Sequence, residues 1–181
     1  MKGLMIFSDR MEDIEAIATR DLLMRAGIEV VTASISETLM IQTSYGIHLS
    51  ADLLFKDVHE NDYDFLIIPG GPYVATTVDQ DTKVKQLAKQ FNNSQKIIGS
   101  ICAGPRFLGQ AGLLDGKKFT CFPGSEVDMK HGKYLPKKTV VKDGNIITAR
   151  GAGVVYAFAF ELIKTLINEQ KAKQVLARIQ Y

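Results

Sequence analysis

The stretch KIIGSICAGP, residues 96–105, indicates the fold class of this chain. Residues 96–100 form an apolar run of the kind found in strands that are buried on both faces of a sheet. The chain then passes through Cys102 and its small neighbours into a predicted helix at 105–111. A strand that leads through a tight turn into a helix is typical of parallel sheets covered by helices.

The segments on both sides of this unit repeat the alternation. The sequence predicts strands at 4–7, 28–33, 65–68, 139–141 and 146–148, and helices at 11–26, 81–91, 154–167 and 169–179. The turn Lys142-Asp143-Gly144-Asn145 indicates a hairpin, and the ambiguous segment 39–55 can be interpreted as two short strands, 40–42 and 47–49. We therefore predict one α/β domain, 1–181, with a mostly parallel sheet and helices on both faces.

Length and composition narrow the classes of function. A chain of 181 residues, 46% of them hydrophobic and 23% charged, is an ordinary globular domain that can bury its own core. A net charge of +2, spread along the chain, gives no reason to expect a specific nucleic-acid partner, and no apolar stretch approaches the roughly 20 residues that span a membrane. Three scattered histidines suggest no metal site. Two cysteines without a secretory leader predict free thiols in a cytoplasmic protein.

Cys102 is the first candidate for a reactive side chain. Ser100 and Gly104 stand two residues before and after it, and only small residues fit beside the sharp turn of a nucleophile elbow. Such a turn places the sulfur at a helix N-terminus, where the dipole and free N–H groups favour the thiolate. The alternative is a buried, inert cysteine, which is the commoner fate of a free thiol. The position of Cys102 at a strand end favours the reactive interpretation.

Two further segments follow predicted strands and are expected at the same edge of the sheet. Pro69-Gly70-Gly71-Pro72 is either a plain turn or an oxyanion-binding loop, since glycine lets backbone N–H groups approach a bound oxygen. Glu15 lies near the start of the first predicted helix, beside Glu12 and Asp13. Acidic residues at this place usually complement the helix dipole, so position alone favours a structural role for Glu15 over a catalytic one.

Four motifs together resemble the ThiJ/PfpI superfamily over nearly the whole chain. They are Met11-Glu12-Asp13-Ile14-Glu15 with Arg25-Ala26-Gly27-Ile28, Ile68-Pro69-Gly70-Gly71, Ile101-Cys102-Ala103-Gly104-Pro105 and Thr148-Ala149-Arg150-Gly151-Ala152-Gly153. The resemblance implies a flavodoxin-like three-layer sandwich that forms a homodimer and uses no metal or organic cofactor. It also hints that Arg25 and Arg150 approach the site across a dimer interface.

The resemblance implies roles for individual residues as well. The nucleophilic cysteine of the family matches Cys102, and its conserved acid, a protonated glutamate hydrogen-bonded to the sulfur, matches Glu15. The oxyanion-binding glycines match Gly70 and Gly71, with the Ala103 N–H as a further donor. A thiolate and a carboxylate in contact cannot both ionise cheaply, so such a pair shares one proton and titrates as a unit.

Three positions after the turn bear on the chemistry. Phe122 stands where the deglycase-like branch of the family carries a histidine, so no Cys–His general-base pair can be assigned. Ala103 directly follows the cysteine, where the proteases of the family carry a histidine, and this argues against a peptidase. Cys121 is predicted to be a small core residue in a strand, and the alternative is a resolving thiol for oxidised Cys102.

These residues leave two functions open. In the first, Cys102 adds to a small reactive dicarbonyl such as methylglyoxal, or to its adduct on a glycated protein, as in a glutathione-independent glyoxalase or protein deglycase. In the second, peroxide oxidises Cys102 to a sulfinate held by Glu15, and the protein is an oxidative-stress sensor or redox-regulated chaperone. Phe122 favours the second function, whereas the intact set of Cys102, Glu15 and two glycines permits both. A thiamine-pathway enzyme is disfavoured, because the sequence has no phosphate-binding glycine loop.

Overall fold

Strands and helices alternate along the chain in this computed structural model, which describes residues 1–181. The strands are β1 (Lys2–Phe7), β2 (Glu29–Ser34), β3 (Met40–Gln42), β4 (His48–Ser50), β5 (Leu53–Leu54), β6 (Phe65–Ile68), β7 (Ile97–Ile101), β8 (Lys118–Phe119), β9 (Lys133–Tyr134), β10 (Val140–Asp143) and β11 (Ile146–Ala149). The helices are α1 (Thr19–Arg25), α2 (Pro72–Thr77), α3 (Lys83–Asn93), α4 (Pro105–Gln110), α5 (Val155–Leu166) and α6 (Glu169–Arg178). A π-helical turn, Ile14–Ala18, leads into α1, and short 3-10 turns lie at Phe55–Asp57, Glu60–Asp62, Ser125–Asp128 and Ala152–Val154.

Seven strands form one sheet in the order β10-β11-β7-β6-β1-β2-β5, while β3–β4 and β8–β9 are two small separate sheets. Every pair in the large sheet is parallel except β10–β11, the hairpin at one edge. All residues of β6 are buried, as are all but the first residue of β1, because both faces of these central strands are covered. The predicted α/β class with a mostly parallel sheet is confirmed.

Helices cover both faces of the sheet and produce three layers. Helix α5 packs on β7, β10 and β11 and contacts α1 and α6, whereas α3 packs on β6 and β7 and contacts α4. Gly99 lets α5 approach β7 closely, since a Cβ on this glycine would lie 2.9 Å from Leu162 Cδ2. This arrangement is the predicted flavodoxin-like sandwich. None of the helices combines the length and the apolar character needed to cross a bilayer.

The predicted β10–β11 hairpin is confirmed, and the ambiguous segment does form two short strands, β3 and β4, which pair antiparallel; other predictions need correction. Regular helical structure in the first predicted helix begins after residue 12 rather than at residue 11, and the Glu12 N–H before it donates to Gly70 O at 3.0 Å. Helix α2 was not predicted, since the sequence around Gly71 reads only as a turn. Pro72 follows that turn and occupies the start of α2, where its missing N–H is tolerated.

The topology brings the three predicted site segments together. Strands β1, β6 and β7 are parallel neighbours, so their C-terminal ends lie side by side and the segments that follow them start close together. These segments carry Glu15, Gly70 with Gly71, and Cys102. Ligand sites in open parallel sheets form beyond the C-terminal ends of the strands.

Candidate active site

Cys102 occupies a strained turn between β7 and α4. Its φ of 63° lies in the left-handed region, which costs a residue other than glycine roughly 1–2 kcal/mol. Two backbone hydrogen bonds hold this conformation: the Cys102 N–H donates to Ala149 O at 2.9 Å, and the Phe122 N–H donates to Cys102 O at 2.8 Å. The half-buried thiol therefore stands on a turn with the geometry of a nucleophile elbow.

Glycines surround the elbow because larger side chains would collide with it. A Cβ on Gly104 would lie 2.6 Å from Ile68 O. A Cβ on Gly70 would lie 2.6 Å from Cys102 Cβ and 2.7 Å from Glu15 Oε2. The absence of a side chain at Gly70 therefore allows both Cys102 and the Glu15 carboxyl group to contact the Gly70 backbone.

Glu15 is fully buried at this point, although an unpaired carboxylate is seldom buried. The π-helical turn Ile14–Ala18 carries it, and π turns often occur at functional sites. Glu15 Oε2 accepts a hydrogen bond from the Gly70 N–H at 2.9 Å, whereas Oε1 has no hydrogen-bond partner. An unpartnered buried oxygen is costly in a carboxylate but suits a protonated carboxyl, whose O–H can donate to a neighbouring sulfur.

Burial raises the pKa of both reactive groups. The pKa of Glu15 rises from 4.5 to about 7 because burial disfavours the carboxylate, while interactions with the Cys102 side chain and the Gly70 N–H partly oppose the shift. Burial also raises the pKa of the Cys102 thiol, the Glu15 charge raises it further, and the Ala103 N–H lowers it. Burial and the Glu15 charge therefore oppose the expected preference for thiolate at the helix end. Because the charge on Glu15 raises the pKa of the Cys102 thiol, the two groups titrate as a coupled pair.

Two backbone N–H groups in the turns after β6 and β7 are candidates to bind an oxygen. The Gly70 N–H is engaged with Glu15, which leaves the Gly71 N–H, without a partner in the chain, and the Ala103 N–H beside the Cys102 side chain. Gly71 has a φ of +124°, and a Cβ there would lie 2.5 Å from the Glu12 backbone N. Glycine is thus required at this close approach.

A cavity of about 450 Å³ lies near the cysteine, although Cys102 and Glu15 are not among its lining residues. Its lining residues are Phe122, Pro123, Pro136, Arg150, Gly151, Ala152, Gly153 and Val154. Gly151 connects the cavity to the thiol, since a Cβ on it would lie 4.0 Å from Cys102 Sγ and 3.7 Å from Phe122 Cδ2. Pro136 and Val154 line this cavity but were not predicted as site residues. The only sequence signal for this part of the site was the motif that contains Gly151.

A profile of the DJ-1/PfpI family matches residues 1–165, a range that includes every site residue described above. The chain belongs to the DJ-1/PfpI family. The resemblance to the ThiJ/PfpI superfamily, predicted from four motifs, is thereby confirmed.

Individual members of the DJ-1/PfpI family match this chain over nearly its full length. A deglycase from Pyrococcus abyssi is 34% identical over 167 residues, which cover 92% of this chain and 99% of the deglycase. The glutathione-independent glyoxalase DJR-1.2 of Caenorhabditis elegans is 34% identical over 167 residues, covering 91% of this chain and 88% of the glyoxalase. The structure of oxidized DJ-1 from Toxoplasma gondii is 33% identical with a TM-score of 0.89, covering 99% of this chain and 98% of that one.

The two predicted arginines occupy different places in this DJ-1/PfpI fold. Arg150 lines the cavity beside Cys102. Arg25 lies at the exposed end of α1, where its Nε is 2.7 Å from Asp21 Oδ2. A role for Arg25 at the site of a partner subunit stays a prediction.

Cys121 belongs to the core of this DJ-1/PfpI protein. Its side chain is fully buried, as the core interpretation predicts, although it lies beyond β8 rather than within a strand. Burial raises the pKa of its thiol to about 12. A thiol that is rarely ionised and shielded from solvent is poorly suited to the alternative role of resolving thiol.

The raised pKa of Glu15 predicts that the folded protein loses stability as pH rises from about 4.5 to about 7. In this window folded Glu15 keeps a proton that the unfolded chain has released, so folding is favoured at lower pH. Roughly 3 kcal/mol of unfolding free energy is expected to disappear by pH 8. Urea unfolding between pH 4.5 and 8 measures this effect. Glu15→Gln, which cannot titrate, should show a flatter pH dependence, and equal slopes in the two proteins would contradict the assignment.

Proposed function

We propose that this protein converts 2-oxoaldehydes such as methylglyoxal into 2-hydroxy acids without glutathione, with Cys102 as nucleophile and Glu15 as proton carrier. The observation that carries the proposal is the fully buried Glu15 carboxyl, whose pKa of about 7 suits it to both take and give protons near neutral pH. The names of two family relatives, a deglycase and a glutathione-independent glyoxalase, support this class of chemistry.

The first step is addition to the aldehyde. The Cys102 thiol passes its proton to Glu15 as the sulfur bonds to the aldehyde carbon. Glu15 then gives this proton to the former carbonyl oxygen, which becomes the hydroxyl of a hemithioacetal and leaves Glu15 ionised for the next step. The Gly71 and Ala103 N–H groups stabilise the negative charge that develops on this oxygen. Gly70 contributes by holding the Glu15 carboxyl in place.

The second step is an internal oxidation and reduction that needs no external electron carrier. Glu15 removes the hydrogen of the former aldehyde carbon as a proton, and the resulting enediol is reprotonated at the former ketone carbon. The first carbon is thereby oxidised to a thioester and the second is reduced to an alcohol. Water then hydrolyses the thioester, which releases the 2-hydroxy acid and restores the Cys102 thiol. On a glycated protein, the same sequence would start from the adduct and also release the amine.

The test is conversion of methylglyoxal to lactate by freshly reduced protein in the absence of glutathione. We expect lactate formation proportional to protein concentration. Absence of lactate formation by fully reduced, folded protein would overturn the enzyme proposal.

A second function, oxidative-stress sensing or redox-regulated chaperoning, is favoured by Phe122 in place of a histidine. Two successive reactions with peroxide would oxidise the Cys102 thiolate to a sulfinate, each releasing one water equivalent. A protonated Glu15 could donate a hydrogen bond to the sulfinate. Peroxide-dependent sulfinate formation without any dicarbonyl turnover would favour this second function over the first.

We further infer a homodimer from an apolar face on the outside of the molecule. Ile14, Ile17 and Met24 are exposed on the π-helical turn and α1, and Met40 and Ile47 are exposed on or beside the β3–β4 hairpin. A cavity of about 560 Å³, larger than the one beside the cysteine, lies on this face. Large apolar patches usually mark protein interfaces, and sedimentation velocity measures the expected dimer.

A further inference from the structure

Phe122 gives the cavity near Cys102 an aromatic side chain that has no role in the chemistry proposed for Cys102 and Glu15. The Phe122 ring and the Cys102 sulfur face the same point above Gly151, at 3.7 and 4.0 Å from the position that a Cβ would occupy. The lining residues with apolar side chains larger than alanine are Phe122, Pro123, Pro136 and Val154. A reactant held at the sulfur therefore has an apolar wall beside it.

Hydrogen bonds on both sides hold Phe122, although 52% of the residue is exposed. Its N–H donates to Cys102 O at 2.8 Å, and its carbonyl accepts from the Ser125 N–H at 2.9 Å. The following 3-10 turn is tied to α4 by an ion pair between Arg106 and Asp128. Because α4 begins just after Cys102, these contacts hold the segment that carries the Phe122 ring against the segment that carries the Cys102 sulfur.

The size and chemistry of the cavity suit a substrate larger than methylglyoxal. Its volume of about 450 Å³ lies within the roughly 300–1,000 Å³ typical of small-molecule sites. A three-carbon aldehyde would leave most of this volume to water in contact with apolar atoms, whereas an apolar substituent would displace that water favourably. Arg150 is the one charged residue in the lining and can donate hydrogen bonds to a carbonyl or carboxylate oxygen of a bound molecule.

We propose that this site prefers 2-oxoaldehydes that carry an aromatic group, which packs against Phe122. The inference rests on the proposed glyoxalase function and specifies its substrate class. With phenylglyoxal the addition, proton transfer and hydrolysis are those described above, water is the only co-reactant, and the product is mandelate. Edge or stacked contact between two aromatic rings adds to the gain from burial alone.

The first test compares kcat/KM for phenylglyoxal and methylglyoxal. We expect the native protein to favour phenylglyoxal by about tenfold or more, the discrimination that a small apolar contact provides. Phe122→Ala should remove most of this preference, while Tyr181→Ala, which deletes another exposed aromatic stacked on Tyr156, should keep it. No preference in the native protein, or an equal preference in Phe122→Ala, would overturn the inference.

The second test does not require turnover. The Cys102 thiol adds across the double bond of a maleimide. The measured quantity is the rate with N-phenylmaleimide divided by the rate with N-ethylmaleimide, where each rate is first divided by the rate with free N-acetylcysteine. This ratio reports how well an aromatic group packs beside the sulfur. We expect a ratio above one in the native protein and near one in Phe122→Ala, with mass spectrometry locating the adduct on Cys102. If neither aldehyde is turned over but this ratio behaves as expected, the glyoxalase function fails and the aromatic subsite stands. A ratio that Phe122→Ala leaves unchanged excludes the subsite whether or not the protein turns over dicarbonyls.

Discussion

Replacing Cys102 by serine is expected to lower kcat for methylglyoxal by at least about 10³-fold, because a serine hydroxyl ionises far less readily than a thiol and is a weaker nucleophile at neutral pH. Serine is close to cysteine in size, so the strained turn and its hydrogen bonds to Ala149 and Phe122 should survive. Lactate formation at saturating methylglyoxal measures the loss, and the temperature of unfolding shows whether the variant is folded.

Cys121→Ser is the matched control, since it removes the second thiol without touching the elbow. Cys121 is fully buried, so the serine hydroxyl will lower stability if it finds no hydrogen-bond partner, but turnover per folded molecule should remain near the native value. Retention of more than a tenth of the native kcat in Cys102→Ser would show that this sulfur is not the nucleophile. An equally large loss in Cys121→Ser would assign the chemistry to both thiols.

Glu15→Gln is expected to slow turnover by about 10²–10⁴-fold, the range of a lost general acid–base group, while making the thiol more reactive. The amide can still accept the Gly70 hydrogen bond, but it cannot carry a proton between carbon atoms. Above pH 7 the charge of Glu15 raises the pKa of the Cys102 thiol, so its removal should lower that pKa. Lactate formation should fall, and the rate of Cys102 alkylation by iodoacetamide at pH 8 should rise.

Glu12→Gln is the corresponding control on the neighbouring carboxyl. Glu12 Oε2 accepts a hydrogen bond from the Glu15 N–H at 2.7 Å, and a glutamine oxygen can accept it as well. We expect turnover and alkylation in this variant to change much less than in Glu15→Gln, because burial and Glu15 raise the pKa of the Cys102 thiol more than the Glu12 charge does. If Glu15→Gln slowed alkylation and turnover together, Glu15 would act by holding the site together rather than by moving protons.

The regular elements of the central sheet were predictable from the sequence because their signals are local. The apolar runs 65–68 and 96–100 became β6 and β7 with little change, and the turn at Gly144 produced the predicted hairpin. The candidate nucleophile was also recognisable, since Ser100 and Gly104 flank Cys102 at the spacing that a sharp turn requires. Each of these inferences depends on residues within a few positions of one another.

Other features could not be predicted because remote segments create them. Position in the sequence made Glu15 look like a residue that complements a helix dipole, and only the family resemblance indicated a place at the site. Its hydrogen bond from the Gly70 N–H spans 55 positions of the chain, which no local pattern predicts. The π-helical turn that carries Glu15 has no sequence signature of its own. Helix α2 was missed because Pro72 and the preceding glycines read equally well as a loop.

The sequence by itself determined the alternation of strands and helices, the tight turn at Cys102 and the membership of a family, since all of these follow from neighbouring side chains and short motifs. The family resemblance pointed to a Cys102–Glu15 pair, but only the tertiary structure shows how deeply the pair is buried and what shape the neighbouring cavity has. Burial raises both pKa values, and burial is the sum of atoms contributed by segments far apart in the chain. Phe122 and Arg150 also come together only in the folded chain: Phe122 is hydrogen-bonded to Cys102 after β7, Arg150 follows β11, and β7 and β11 are neighbours in the sheet.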